Sequence, residues 1–117
     1  MNIEELREYC LSLKKVTESF PFDKDTLVFK VAGKMFCLTN LAGDLSVNLK
    51  NEPEKNLELR ENCNAVKPGY HMNKKHWNTV EINGSIPDKL IKDWINESYN
   101  LVVQKLPGKI QNELKNE

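Results

Sequence analysis

Three short strand-like segments, residues 26–31, 35–39 and 45–50, are separated by turns at residues 32–34 and 42–44, each of which contains a glycine. In the first and third segments apolar and polar side chains alternate, which is typical of a strand with one buried face. Turns this short join neighbouring antiparallel strands. The sequence therefore predicts an antiparallel meander whose apolar face is covered by other elements of the chain.

Helical patterns lie on both sides of this meander. Asn2 and Glu5 form a capping-box pattern before a first helix, which we predict over residues 3–15. Pro53 fits the first turn of a short second helix, and Pro87 opens a third helix with a wide apolar stripe. A stripe of this width is typical of a helix that faces the protein core.

Two further strands are predicted between the second and third helices, a short one at residues 65–66 and an alternating one over residues 77–82. The predicted order is helix, three strands, helix, two strands, helix. This order indicates an α+β fold in which helices pack on an antiparallel sheet. The 117 residues suffice for one domain, so we assign residues 1–117 to a single domain with a polar C-terminal tail over residues 107–117.

Composition narrows the class of protein. Hydrophobic residues make up 39% of the chain and charged residues 29%, which is too apolar for a disordered protein. No apolar run approaches the roughly 20 residues that cross a bilayer. The acidic N-terminus lacks the apolar stretch of a secretion signal, so we expect a cytoplasmic protein without membrane contact. Because 17 Lys and Arg balance 17 Asp and Glu, a constitutive nucleic-acid coat protein is disfavoured.

Positive charge is concentrated in one segment of this neutral chain. Residues 67–80 contain no acidic side chain, and aromatic residues are interleaved with the bases. The bases of this segment are Lys67, His71, Lys74, Lys75 and His76. Lys30 and Lys34, on either side of the Gly33 turn, provide a second basic tip. Lysines bind phosphate as point charges and flat aromatic rings stack on bases, so both tips are candidate contacts with a nucleic acid.

Several runs of residues resemble one known family. The run at 70–80, with its His-Met-Asn-Lys-Lys-His-Trp core, resembles the hallmark of the MmcQ/YjbR family of small bacterial proteins. The run at 98–107 resembles that family's C-terminal signature. Phe-Pro-Phe-Asp at 20–23, followed by Lys30 and by Gly-Lys-Met-Phe at 33–36, is similar to the family's layout. The resemblance covers essentially the whole chain.

The resemblance implies a fold similar to that of type III secretion chaperones. It also implies DNA binding through a double wing of two hairpins, which on this chain would be the Gly33 hairpin and the loop 67–76 with its strand. We therefore expect a DNA-binding protein of low sequence specificity, in which lysines neutralise phosphates, histidines add pH-dependent charge and asparagines contact a base or the backbone. The expected nucleic-acid-binding residues are Lys30, Lys34, Lys67, His71, Asn73, Lys74, Lys75, His76 and Asn78. Trp77 is expected to anchor its strand.

The same loop supports a second hypothesis, a protein-interaction module with no nucleic-acid or catalytic role. Tyr70, Met72 and Trp77 cluster in the sequence, and large side chains of this kind anchor interfaces. The partner would be a second copy of the chain, in a homodimer, or another protein. A complex that survives high salt and does not need the basic loop would favour this hypothesis.

Neither catalysis nor a cofactor or metal ion is expected. His71 and His76 are five residues apart with Cys63 upstream, and this spacing is not a zinc signature. The low-ranked catalytic alternative is an enzyme for a small anionic substrate at the loop that carries His71 and His76, with His76 as general base. Cys10, Cys37 and Cys63 form no CxxC pair, so we expect free thiols, of which Cys63 is the most accessible.

Overall fold

The predicted meander forms the centre of a larger sheet in the computed structural model, which describes residues 1–115. The strands are β1 Val16–Ser19, β2 Thr26–Val31, β3 Lys34–Asn40, β4 Ser46–Lys50, β5 Val66–Pro68 and β6 Trp77–Glu81. The helices are α1 Ile3–Ser12, α2 Pro53–Asn62, α3 Asp88–Gln104 and α4 Gly108–Lys115. All neighbouring strands are antiparallel, in the order β1-β2-β3-β4-β6-β5. The α+β class is confirmed.

The turn between β2 and β3 explains why this hairpin is tight. Ala32 and Gly33 both have left-handed backbone conformations, with φ of 49° and 79°. This is the pattern of a two-residue type I′ turn, whose twist matches that of the flanking strands. The register then places Phe29 opposite Cys37, and Cys37 opposite Leu49, on the face of the sheet that the helices cover.

Helix α3 covers the central strands with its apolar stripe and runs along them from one end of the sheet to the other. Its buried residues are Ile91, Trp94, Ile95, Ser98 and Val102. Ser98 ties the helix to the sheet, because its hydroxyl donates to the Phe36 carbonyl at 2.6 Å and accepts from the Lys50 N–H at 2.9 Å. Helix α1 packs beside α3 in the same direction, and a hydrogen bond joins Asn96 to Tyr9.

Three details of the predicted order are corrected. Four strands, not three, precede α2, because β1 pairs with β2 from Val16 opposite Val31. The first helix ends at Ser12 rather than at residue 15. The tail is not simply polar, because residues 108–115 form α4 and bury Leu114 in the core. Residues 116–117 lie outside the described residues. Within residues 1–115, no helix is long and apolar enough to cross a membrane.

Candidate nucleic-acid interface

The two predicted basic tips lie at the same end of the sheet. Lys50, the last residue of β4, pairs with Trp77, the first residue of β6. Because β3 runs antiparallel to β4, the β2–β3 turn, the end of β4 and the loop before β6 share one end, which we call the basic end. In the order of the strands, the turn and the loop are three strand spacings apart, which is about 14 Å.

Close packing holds the β5–β6 loop, residues 69–76, against the sheet. The Gly69 N–H donates to the Trp77 carbonyl at 2.9 Å, and a Cβ on Gly69 would lie 2.9 Å from both the Cβ and the carbonyl oxygen of Trp77. Trp77 is only 7% exposed and packs with Val28 and Leu38 on the face of the sheet opposite the helices. The prediction that Trp77 anchors its strand is therefore confirmed.

Both asparagines that we expected to contact nucleic acid have structural partners in this protein. Asn73 accepts hydrogen bonds from two backbone N–H groups of its own loop. Asn78 is 2% exposed, accepts from Arg60 Nε at 2.6 Å and donates to the Asn56 carbonyl at 3.2 Å. Arg60 also donates to the Lys74 carbonyl, so this network joins α2 to the loop.

The remaining predicted residues divide into two groups by position. At the basic end, Lys34 and Lys75 are exposed, while the Lys74 ammonium donates to the Gly69 carbonyl at 2.9 Å and so supports the loop. Lys30 and His76 also belong to this end and are half-buried. The second group lies away from it and consists of Lys67, opposite Thr79 in the middle of β6, and the exposed His71.

Two cations of the basic end were missed by sequence reasoning. Lys50 is half-buried at the end of β4, and Lys105 follows α3. Burial, and then the positive charge of Lys105, lower the pKa of Lys50. The end of α3 therefore places a second ammonium group near this end of the sheet. No local signal identifies the pair, because the two residues belong to different elements that only tertiary packing brings together.

Carboxylates occupy the opposite end of the sheet, which we call the acidic end. It is built from the β1–β2 loop with Asp23 and Asp25, the β3–β4 loop with Asp44, and the start of α3 with Asp88. The first two loops are joined, because the Leu41 N–H donates to the Asp25 carbonyl at 2.7 Å. Backbone N–H groups of residues 25 and 26 donate to Asp23 and lower the pKa of its carboxyl group. Lys24 and Lys89 lie in the same segments, so the acidic end carries these four aspartates together with two exposed lysines.

The three cysteines are free thiols. Cys10 and Cys37 are buried with their sulfur atoms 3.8 Å apart, and burial raises the pKa of the Cys37 thiol. Cys63 is half-buried and is the most accessible of the three, as predicted. Among residues 1–115, no three His, Cys, Asp or Glu side chains gather in a group that could hold a metal ion.

Comparisons with known proteins agree with this architecture. The YjbR family model matches residues 11–101. The chain is 41% identical to the Escherichia coli O157:H7 protein YbdF over 109 residues, which span 92% of this chain and 89% of that protein. It is 34% identical to YjbR of Escherichia coli K12 over 108 residues, which span 92% of each chain.

Solved structures show the same fold. A crystal structure of the Deinococcus radiodurans protein DR2400 superposes with a TM-score of 0.91 at 40% identity, over 97% of this chain and 88% of that one. A Pseudomonas syringae protein superposes with a TM-score of 0.76 at 29% identity, over 86% of this chain and 98% of that one. By sequence and by fold, the chain belongs to the YjbR family.

Proposed function

We propose that the protein binds double-stranded DNA through its basic end and catalyses no reaction. The observation that carries this proposal is the convergence of the β2–β3 turn and the β5–β6 loop at one end of the sheet. Their separation of about 14 Å by strand spacing is close to the width of the DNA major groove, about 12 Å. The two tips are therefore spaced to contact the phosphates on both sides of one groove.

The side chains available at this end favour binding of low sequence specificity. Contacts with phosphates position a protein on DNA, whereas contacts with base edges specify a sequence. Asn78 is buried, and the side-chain oxygen of Asn73 accepts hydrogen bonds within its own loop, so neither Asn78 nor the Asn73 oxygen is presented to a base edge. The exposed cations are the ammonium groups of lysines, which bind phosphates as point charges.

The test compares two variants of equal charge. Lys34→Glu/Lys75→Glu inverts one exposed lysine at each tip, and Lys24→Glu/Lys89→Glu inverts two exposed lysines elsewhere, so both variants are four charge units more negative than the neutral wild type. These lysines are preferable to Lys74, because the Lys74 side chain supports the loop. Binding to a labelled duplex of 20–30 base pairs is measured by fluorescence anisotropy at several salt concentrations.

For three phosphate contacts, the slope of log K against log salt is expected near −2.7, at about −0.9 per contact, so a fourfold rise in salt weakens binding about 40-fold. The variant at the two tips should lose about two contacts and most of this slope, while the control variant keeps it. Equal losses in the two variants would indicate a response to net charge alone and would contradict the proposal. So would the absence of wild-type binding at about 100 µM protein in low salt, because ordinary non-specific association is at least that strong.

A second candidate function, a protein-interaction module, is favoured by one observation at the acidic end. Phe20, Phe22 and Leu41 are 48%, 63% and 44% exposed on the two joined loops of that end. Exposed apolar side chains that gather on one surface are typical of contact sites for proteins. Of the three anchors expected from the sequence, only Tyr70 is well exposed, since Trp77 is buried and Met72 is half-buried. Sedimentation of the wild type and of Phe22→Asp over a range of concentrations tests for self-association through these loops.

A further inference from the structure

A broad groove lies on the helix-free face of the sheet, between the basic and acidic ends. It encloses about 1230 Å³, and its floor is polar where β4 and β6 present Ser46, Asn48 and Thr79. One wall is the segment 67–72, and the other comes from the loops of the acidic end with Phe22 and other residues. The volume exceeds the 300–1,000 Å³ typical of small-molecule pockets, and the groove is open along its length.

An aromatic pair stands on the rim of this groove. The rings of Tyr70 and His71 lie with their centroids 4.1 Å apart, and Tyr70 is 69% exposed. The backbone holds the pair there, because the Tyr70 N–H donates to Thr79 Oγ1 at 2.9 Å, and the Thr79 hydroxyl in turn bonds to Asn48. His71 has a φ of 59°, a left-handed conformation that a non-glycine residue adopts at a cost. The loop therefore holds an exposed aromatic surface in a fixed position instead of burying it.

Charge changes sign across the groove. Lys67 and His71 lie on the wall that carries the aromatic pair, whereas Asp23, Asp44 and Glu81 lie toward the acidic end, so a phosphate can be held only along the first wall. A nucleotide has the complementary polarity, because its phosphate is anionic and the exocyclic amines of its base donate hydrogen bonds to carboxylates. The arrangement of stacking surface, cation and carboxylate suits a nucleotide whose base is unpaired.

We propose that this groove binds single-stranded nucleic acid, with one base stacked on Tyr70 and its phosphate beside Lys67. The proposal rests on the proposed function, since the neighbouring phosphates would continue onto Lys74 and Lys75 at the basic end. This continuity, and a groove larger than one small ligand needs, favour a strand over a free mononucleotide. Bases paired within a duplex do not expose their faces, so duplex DNA uses the two tips and leaves Tyr70 free.

The experiment measures the binding of two labelled probes, a mixed-sequence 12-mer single strand and the blunt duplex of the same sequence, by fluorescence anisotropy. Tyr70→Ala should weaken single-strand binding about tenfold, the effect typical of one lost base–aromatic stack, and change duplex binding less than twofold. Tyr70→Phe keeps the ring and should keep wild-type affinity. Phe20→Ala removes an exposed aromatic side chain that does not line the groove and should change neither affinity.

The outcomes separate this inference from the proposed function. If Tyr70→Ala changes the two affinities equally, or changes neither, while Lys34→Glu/Lys75→Glu still loses duplex binding, the groove inference is overturned and the duplex proposal stands. If the wild type binds the duplex and not the single strand, the inference is likewise overturned. If it binds neither probe in low salt, both proposals are overturned.

Discussion

Replacing Gly69 with alanine tests how the β5–β6 loop is held. The new Cβ would lie 2.9 Å from the Cβ and the carbonyl oxygen of Trp77 and 3.1 Å from the Cβ of Met72. Backbone and Cβ atoms cannot yield as the end of a flexible side chain can, so the loop must move. Overpacking destabilises the fold by about 1–3 kcal/mol. Alanine also reduces the entropy of the unfolded chain, which stabilises the fold by about 0.4–1 kcal/mol. We therefore expect Gly69→Ala to lower the free energy of unfolding by about 1–2 kcal/mol in urea titrations.

Gly108→Ala is the matched control. Gly108 begins α4, its φ is not in the left-handed region, and a Cβ there would meet no atom within 4 Å. The same chemical change should leave stability unaltered or raise it by up to about 1 kcal/mol. If Gly69→Ala were as stable as Gly108→Ala, the reasoning that close approach to Trp77 requires glycine would be refuted.

Two further predictions concern contacts that hold helices to the sheet. Ser98→Ala leaves the Phe36 carbonyl and the Lys50 N–H without their buried partner, so urea titration should show a loss of about 2–3 kcal/mol, and an unchanged midpoint would contradict the role of Ser98. Arg7 donates two hydrogen bonds to Glu18 and lowers the pKa of that carboxyl below the ordinary 4.5. The pair therefore stabilises the fold above about pH 4.5 and stops doing so as the pH falls through the lowered pKa of the folded state. The difference in Tm between wild type and Glu18→Gln should shrink over that range, and a constant difference would contradict this account.

The elements that the sequence predicted well are those whose pattern is local. β4 alternates over its own residues, and the apolar stripe of α3 is visible within one segment. The alternation predicted for β2 is incomplete, because Val28 is also buried and packs on the opposite face of the sheet. Glycine and proline mark where these elements end, because glycine permits left-handed backbone conformations and proline fixes φ and lacks an N–H donor. The type I′ turn at Ala32-Gly33 needs only two residues, so its position could be predicted without knowledge of the fold.

The elements that were missed depend on partners elsewhere in the chain. Val16–Ser19 has one strongly apolar residue and becomes a strand because β2 offers an edge to pair with and Arg7 on α1 binds Glu18. The last helix is polar apart from a few positions, and its Leu114 is buried because it packs into the core that the other elements form. Propensity is a weak guide where tertiary packing decides the outcome.

The candidate interface likewise has features that the local sequence predicts and features that depend on tertiary partners. The density of bases in residues 67–80 is a local property and was visible in the sequence. The structural roles of Asn73, Asn78 and Lys74 were not visible, because their partners are set by the path of the loop and by α2. Lys50 and Lys105 were missed for the same reason, since neither lies in a basic run.

The net charge of zero does not describe the surface that this chain would present to a polyanion, because the order of its connections decides where the charges lie. In an antiparallel meander, successive connections fall at alternate ends of the sheet. Here the connections after β1 and β3 and the one before α3 carry or adjoin four aspartates, together with Lys24 and Lys89. The β2–β3 turn, the end of β4 and the β5–β6 loop carry or adjoin lysines, with Glu52 close to Lys50. Charges that cancel along the chain are thereby partly separated in space. Under the proposed function, the excess of lysines at the basic end would turn that end toward a polyanion before any contact forms.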